Sequence, residues 1–352
     1  MPKTYFTLDK WFGKSDPVKI CSGNKVFYGN LLENKIEWLN KEPTNALIIG
    51  SFKWDSDVNL CLTKESIILL KHKIKIKKNS FFSRKSILKS NLQKCVRRCI
   101  VDKAVNTAFQ MCFLKNGLNE LLRRLIIITV EDSLVTYDIT KLCFLMCISS
   151  KMDIIKEKSE YIEISEYVLK FCLRYTSFIA QIKLWDPSYN FTNANKLTKN
   201  IITKSDLINK DKTLLMCLLT RACYGGMKGD IKMLNSIAYV WFNRLSNGNI
   251  NRWHNMLSLD CKNEEVELVN KFNKKSIIKY AIDFHCTNII KELKEYFPNY
   301  LEEELKKAIW FYSSSINLKY KIVPYFNSDR KLYLSVWQDI EQRYYKKKLK
   351  HM

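Results

Sequence analysis

The most concentrated chemical signal in the sequence is a long run of basic side chains with no acidic residue among them. The run spans residues 71–98. Lysine and arginine bind phosphate oxygens through charge-assisted hydrogen bonds, so such a cluster predicts contacts with a nucleic-acid backbone. The predicted contacts in the run are Lys71, Lys73, Lys75, Lys77, Lys78, Arg84, Lys85, Lys89, Lys94, Arg97 and Arg98. Arg123 and Arg124 are predicted as further contacts downstream.

The first part of this run, KHKIKIKK, alternates lysine with less polar residues. In a strand, the lysines from Lys71 to Lys77 would share one face and His72, Ile74 and Ile76 the other. Their ammonium groups would then be spaced about 6–7 Å apart, which suits a row of phosphates. The alternative interpretation is an edge strand that its lysines protect from aggregation.

A search for catalytic residues is mostly negative. No Gly-x4-Gly-Lys-[Ser/Thr] loop is present, so ATP hydrolysis is not expected. None of the four histidines lies in a metalloprotease-like or nuclease-like spacing. His285 and Cys286 have an apolar helical setting and no partnering Cys-x2-Cys, which favours core packing over a metal site. We therefore predict no catalytic residue, no metal site and no cofactor.

The segment YGGMKGD, residues 224–230, has two interpretations. Its glycine amides beside Lys228 would allow a phosphate to approach the backbone closely. The favoured interpretation is structural: one helix stops at the glycines and the next one starts, with Asp230 as its N-cap.

The composition is strongly basic, with a formal net charge of +24 and a pI near 9.4. This imbalance makes nucleic acid the leading class of partner, although an AT-rich genome would also enrich lysine. The twelve cysteines are scattered, several within apolar helical runs, which predicts reduced thiols. No secretory leader and no membrane-spanning apolar stretch is recognised, so we expect an intracellular protein without a membrane partner, in the nucleus or cytoplasm or at a viral replication site.

Periodicity predicts an α+β protein, mainly helical, with a small β-containing N-terminal module. Strand-like segments occur between residues 18 and 78 and include SIILL at residues 66–70, while helical spacing dominates after residue 79. The predicted organisation is a flexible docking tail (1–16), the β-containing module (17–80), a helical domain (81–340) with a loop insertion near 186–210, and a basic tail (341–352).

The N-terminal TYFTLDKWFGK resembles the peptide with which proteins bind a sliding clamp (PCNA). That peptide places an aliphatic residue and two adjacent aromatics on one helical turn, and the matching residues here are Leu8, Trp11 and Phe12. Tyr5 stands at the family's usual glutamine position. The resemblance implies clamp binding, whereas the alternative is a hydrophobic staple on the chain's own domain.

Residues 90–134 resemble the helical collar of clamp-loader-like AAA+ proteins, in particular the Werner-helicase-interacting family. The matching elements are Leu92, Lys94 and Arg97, then Ala104 and Ala108, then Arg123, Arg124, Leu125, Glu131 and Asp132. Both nucleotide-binding motifs of that family are missing upstream. The resemblance therefore implies helices for oligomerisation or partner binding, without ATPase activity.

These observations predict a non-catalytic DNA-binding accessory factor of replication, recombination or repair, with DNA favoured over RNA and a sliding clamp as a possible second partner. Two alternatives stay open. One is a basic packaging protein of a large cytoplasmic DNA virus. The other is a metal-dependent nuclease or nucleotidyl enzyme in which carboxylates such as Asp102, Glu131, Asp132 and Asp230 converge only after folding. The sequence predicts no oligomeric state.

Overall fold

The fold is described from a computed structural model of the chain. The structure describes residues 25–54, 56–78, 84–184, 186, 197–247, 250–262, 266, 274–281, 287–314 and 329–350. Thirteen helices and seven strands lie in these residues. The predicted α+β class, mainly helical with strands near the N-terminus, is therefore confirmed.

Four strands near the N-terminus form the first sheet. They are β1 (Lys25–Asn30), β2 (Lys35–Leu39), β3 (Ala46–Lys53) and β4 (Asp57–Thr63), in the order β2-β1-β4-β3. β1 and β4 are parallel, and the other neighbours are antiparallel. The sequence pattern predicted β1, β3 and β4 but missed β2, in which Ile36 alone is fully buried.

The predicted strand at residues 66–70 is wrong, because this segment belongs to helix α1 (Lys64–Lys71). The Thr63 hydroxyl accepts a hydrogen bond from the Ser66 amide, which caps the helix. Ile67 and Leu70 are buried three residues apart, while Ile68 is 64% exposed. That spacing fits a helix better than the alternation of a strand.

A second sheet contains β5 (Lys73–Lys77), β6 (Ile155–Glu157) and β7 (Tyr161–Ser165), in the order β5-β7-β6. Both pairings are antiparallel. The pattern KIKIK predicted β5, whereas β6 and β7 were missed. Since β5 pairs with a strand far along the chain, it is held by the helical part of the molecule.

The remaining helices follow the predicted periodicity for the most part. They are α2 (Lys85–Arg97), α3 (Val101–Met111), α4 (Gly117–Asp132), α5 (Asp138–Ile148), α6 (Glu166–Gln181), α7 (Lys199–Lys204), α8 (Asn209–Cys223), α9 (Lys228–Asn247), α10 (Ile250–Leu257), α11 (Thr287–Tyr296), α12 (Glu302–Ser314) and α13 (Arg330–Lys350). In α2, Leu88, Leu92 and Val96 recur four residues apart, as a helix with one apolar face requires, and all three are fully buried.

One hydrophobic core includes both the first sheet and the central helices. Phe27 of β1 stacks on Trp38 at 4.8 Å and meets Phe144 of α5 edge-on at 5.0 Å. Gly29 allows this approach, because a Cβ there would lie 2.6 Å from Cε1 of Phe144. This core contains residues from both sides of the boundary predicted at residue 80, and the predicted domain boundaries stay predictions.

Helices α11, α12 and α13 pack around a second apolar cluster that includes Leu293, Leu305 and Trp337. The predicted basic tail is helical as far as Lys350. Tyr344 and Tyr345 pack against the cluster.

Several sequence predictions fall outside the described residues. These are the docking tail, the strand at 18–23, the residues 187–196 of the predicted loop insertion, and His285 with Cys286. Within the described part of the chain, no helix has the length and apolar character to span a bilayer. The ten cysteines in this part of the chain form no disulfide with one another.

Candidate nucleic-acid interface

The lysines of β5 lie on the outward side of the second sheet. Ile74 and Ile76 of β5 pair with Ile164 and Ile162 of β7, and both β7 isoleucines are fully buried. Alternate residues of a strand point to opposite faces, so the lysines between the isoleucines point away from the core. We call Lys73, Lys75, Lys77 and Lys156 the lysine face.

Lys156 joins this face from β6 and was missed by the sequence prediction. It pairs with Glu163, which also pairs with Lys75 on the other side of β7, so the three side chains share one face. The weak signal of a three-residue strand could not have revealed it. Lys71 was predicted to belong to the same row, but it is the last residue of α1 and is not part of the strand.

Acidic residues from elsewhere in the chain partly neutralise the lysine face. Lys73 Nζ lies 3.3 Å from Asp153, which Lys156 also approaches at 3.4 Å. Lys75 Nζ lies 3.9 Å from Glu163 and 5.4 Å from the centre of the Tyr161 ring. The run is free of acidic residues along the sequence, but the fold brings Asp153 and Glu163 to it from elsewhere in the chain. Lys77 and Lys78 form no ion pair within the described residues.

Several of the other predicted contacts belong to a polar seam between α2 and α4. At one end, Lys89 forms an ion pair with Glu120. In the middle, Arg124 donates to Oε1 of Gln93, whose amide nitrogen lies 2.7 Å from Glu131 and 2.9 Å from Asp132. At the other end, Arg97 Nε lies 2.5 Å from Asp132 and Arg97 Nη2 lies 3.2 Å from Glu131.

Arg97 was predicted to contact phosphate, and this prediction is wrong. Its side chain is only 7% exposed and that of Asp132 is fully buried. A phosphate cannot reach the guanidinium without displacing this pair, so Arg97 holds α2 against α4. Burial, followed by the nearby charge of Asp132, raises the pKa of Glu131, while Arg97 and Arg124 oppose that rise.

The remaining predicted contacts of the run are spread along α2. Arg84 precedes the helix and is exposed, Lys85 begins it, and Lys94 and Arg98 lie near its end with partial exposure. The structure therefore places the predicted phosphate-contacting residues in two different environments. β5 presents lysines on one surface, whereas Lys89, Arg97 and Arg124 are held within the seam.

Arg123 faces a different part of the molecule, the YGGMKGD segment. Its Nη2 donates to the carbonyls of Tyr224 and Gly225 at 3.1 and 3.3 Å. Arg221 of α8 reaches the same place, donating from Nη1 to Gly225 at 2.7 Å and from Nε to the Arg123 carbonyl at 3.2 Å. Arg221 lies inside a helical pattern, and nothing in the sequence marks it as a site residue.

The structural interpretation of YGGMKGD is confirmed in outline. α8 ends at Cys223 and α9 begins at Lys228. Gly225 and Gly226 have φ angles of 78° and 144°, which glycine adopts without strain. Asp230 lies in the first turn of α9 and not at its N-cap, which corrects the prediction for this residue.

A cleft of about 350 Å³ between β2, α5 and α8 was also missed. At its wall, Tyr137 Oη donates to Oδ1 of Asp211 at 2.5 Å, and His254 Nε2 lies 2.9 Å from Oδ2. Burial lowers the pKa of Lys141 in this cleft. Four lysines and four carboxylates line the cleft, so it lacks the charge excess expected of a polyanion site.

The carboxylates named for an enzyme do not form one cluster in the described residues. Glu131 and Asp132 hold Arg97, whereas Asp102 is exposed on α3 and Asp230 belongs to α9. No group of three potential ligands in the described part of the chain is arranged to hold a metal ion. The clamp-binding residues Leu8, Trp11 and Phe12 lie outside the described residues.

Comparisons of the chain with protein-family models, with curated proteins and with solved structures found no match. The two resemblances drawn from the sequence therefore stay predictions. The Arg97–Asp132 pair nevertheless joins two residues of the collar-like stretch, so this part of the chain is one packed unit.

Proposed function

We propose that this chain is a non-catalytic DNA-binding accessory factor of replication, recombination or repair. In this proposal, the lysine face holds backbone phosphates. The observation that carries it is the geometry of β5: buried isoleucine partners fix the strand, and the lysines between them point outward. Ammonium groups held on a rigid sheet lose less side-chain freedom on binding than ammonium groups on a free tail.

The acids of the lysine face do not remove its attraction for a polyanion. Four lysines stand against Asp153 and Glu163, so the face keeps an excess of positive charge. Exposed ion pairs of this kind contribute only about 0–1 kcal/mol, and a phosphate can take the place of the carboxylate. The net charge of +24 adds a long-range attraction that speeds association.

A competing explanation of the same lysines is edge protection. β5 is an edge strand of its sheet, and charged side chains at an edge hinder pairing with another chain. The two explanations differ in the sign of charge that they require. Edge protection is satisfied by either sign, whereas phosphate binding requires positive charge. Reversal of the charge therefore separates them.

The experiment is a double substitution, Lys75→Glu with Lys77→Glu. We expect a folded, unaggregated protein whose affinity for a fluorescent DNA duplex falls at least tenfold at fixed salt, which corresponds to about 1.4 kcal/mol. The matched control is Lys307→Glu with Lys331→Glu, which makes the same charge change at exposed positions of α12 and α13. Equal affinities of the two variants would refute the proposal.

The proposal extends to recruitment and location. Leu8, Trp11 and Phe12 would dock a sliding clamp and bring the lysine face to DNA at the replication site, in the nucleus or in the cytoplasm. A packaging protein would instead bind any duplex without a clamp. DNA is favoured over RNA because the clamp-binding resemblance belongs to DNA-replication proteins, and an RNA duplex of the same sequence is the direct comparison.

A further inference from the structure

Two arginines meet beside the YGGMKGD segment without a carboxylate partner. Arg221 is only 4% exposed, and Arg123 is partly buried. Neither guanidinium has a carboxylate within 4.0 Å among the described residues. Burial, followed by the charge of Arg123, lowers the pKa of Arg221. Two like charges held together in this way are unfavourable unless an anion joins them.

Part of the hydrogen-bonding capacity of the two side chains is still available. The carbonyls of Tyr224, Gly225 and Arg123 accept from Arg123 Nη2 and from Arg221 Nε and Nη1. The other nitrogens, Arg221 Nη2 and the Nε and Nη1 of Arg123, form no hydrogen bond in the described residues and are not sealed from solvent. These three nitrogens are solvent-accessible donors with no protein acceptor among the described residues.

The loop beside the arginines leaves room for a ligand. A Cβ added at Gly225 or at Gly229 would meet no atom within 4 Å. Gly226, Lys228 and Gly229 are exposed, and the 20-residue helix α9 begins at Lys228. The positive end of this helix dipole adds to the charge of the guanidinium groups.

Asp230 is an acidic residue whose charge acts on Arg221. It opposes the lowering of the Arg221 pKa, and its Oδ2 and both Nη atoms of Arg221 lie within 3.8 Å of the point where a Cβ of Gly226 would stand. The distance between the two side chains exceeds an ion-pair contact. Asp230 therefore competes with an incoming anion without neutralising the arginines.

We propose that Arg123, Arg221 and the loop from Gly225 to Gly229 form a phosphate-binding site. Guanidinium groups bind phosphate oxygens through parallel N–H···O bonds, and glycines let the phosphate approach the backbone. The phosphate belongs to a nucleic-acid strand or to a free nucleotide, which share this chemistry. The site is separate from the lysine face and does not depend on the function proposed for it.

The test measures binding to the full chain with inorganic phosphate, ATP and a 5′-phosphorylated DNA oligonucleotide as probes. One or more of the probes should bind the wild type. For that probe, we expect the affinity of Arg123→Gln to be at least tenfold lower, because the variant lacks one charged donor. Arg330→Gln, at an exposed position of α13, is the control with the same charge change and should leave binding unaltered. Because the lysine face would also bind DNA, only the part of the binding that Arg123→Gln removes is assigned to this site. If that part is larger for the oligonucleotide than for ATP, the site belongs to nucleic acid, and the reverse assigns it to nucleotides.

Asp230→Asn gives a second test that does not depend on the folding of the Arg123 variant. It removes the competing carboxylate, so phosphate binding should become about threefold to tenfold tighter. A structural role for the arginines as helix caps predicts no such gain. The proposal is overturned if the wild type binds none of the three probes, or if Arg123→Gln and Asp230→Asn both bind as Arg330→Gln does.

Discussion

Arg97 and Asp132 form a buried ion pair in which Nε and Oδ1 lie 2.5 Å apart and Nη2 and Oδ2 lie 3.1 Å apart. The geometry is bidentate and joins the end of α2 to the end of α4. Gln93 also contacts Asp132, at 2.9 Å. A residue that the sequence suggested for phosphate binding is thus a structural link between two helices.

Removing Arg97 should destabilise the fold strongly. Arg97→Ala leaves the Asp132 carboxylate buried without its partner, which usually costs about 3–5 kcal/mol. Denaturant unfolding measures the decrease in stability. The double variant Arg97→Met with Asp132→Leu should recover much of it, because the fully buried Asp132 carboxylate is removed together with its partner. A decrease below about 1 kcal/mol for Arg97→Ala would show that the pair does not hold the helices together.

Lys89 and Glu120 should make a small, pH-dependent contribution to stability. Partial burial alone would raise the pKa of Glu120, but the hydrogen bond and charge of Lys89 outweigh it and the pKa is lowered. A carboxyl with a lowered folded pKa stabilises the fold above its unfolded pKa of about 4.3, and this contribution disappears as the pH falls through the folded pKa.

Lys89→Met therefore should reduce the free energy of unfolding at pH 7 by about 0.5 kcal/mol, as expected for a partly exposed pair. At pH 3 the difference from the wild type should shrink. Lys331→Met, on the exposed side of α13, is the control and should show no pH-dependent difference. If the difference in unfolding free energy between Lys89→Met and the wild type grows as the pH is lowered, the stabilising effect of Lys89 on the Glu120 carboxylate is contradicted.

Gly29→Ala should destabilise the contact between the first sheet and α5. The added Cβ would lie 2.6 Å from Cε1 and 2.7 Å from Cζ of Phe144, a ring that is fully buried. Overpacking of this kind costs about 1–3 kcal/mol. Gly229→Ala is the control, since a Cβ there meets nothing and the residue lies in the first turn of α9, so this variant should be at least as stable as the wild type. In thermal unfolding, Gly29→Ala should have a lower Tm than the wild type, whereas the Tm of Gly229→Ala should not fall.

The N-terminal prediction is tested with a peptide of residues 1–16 and the cognate sliding clamp. Replacing Trp11 and Phe12 with alanine should abolish binding, with a decrease in binding free energy of at least roughly 2 kcal/mol, because buried aromatic anchors dominate short-peptide interfaces. If these residues are instead a staple, the wild-type peptide will bind no clamp, and the double substitution will lower the stability of the intact protein.

The sequence predicted most of the helices because their buried positions repeat strongly, as Leu88, Leu92 and Val96 do in α2. It missed β6, which is only three residues long, and it also missed β7, although YIEIS alternates as KIKIK does in β5. It placed Ile67 and Leu70 in a strand because a short apolar run fits either structure. The face of β5 was predictable, since alternation alone sets the direction of its side chains.

The acidic partners of the basic residues could not be predicted in the same way. Asp153 lies 80 residues from Lys73 and Glu163 lies 88 residues from Lys75, while Asp132 lies 35 residues from Arg97. Charge counted along the chain carries no information about such pairings. Arg221 was missed for the same reason, since only the fold brings it beside Arg123 and Gly225.

The salt dependence of DNA binding tests the central claim most directly. The logarithm of the affinity should fall linearly with the logarithm of salt concentration, and the slope for duplex DNA is about 0.9 for each phosphate that the protein neutralises. For Lys75→Glu with Lys77→Glu, which would leave two phosphates without a lysine, we expect a slope smaller by about 1.8, with no change for Lys307→Glu with Lys331→Glu. An unchanged slope and affinity in the folded β5 variant would contradict binding through the lysine face.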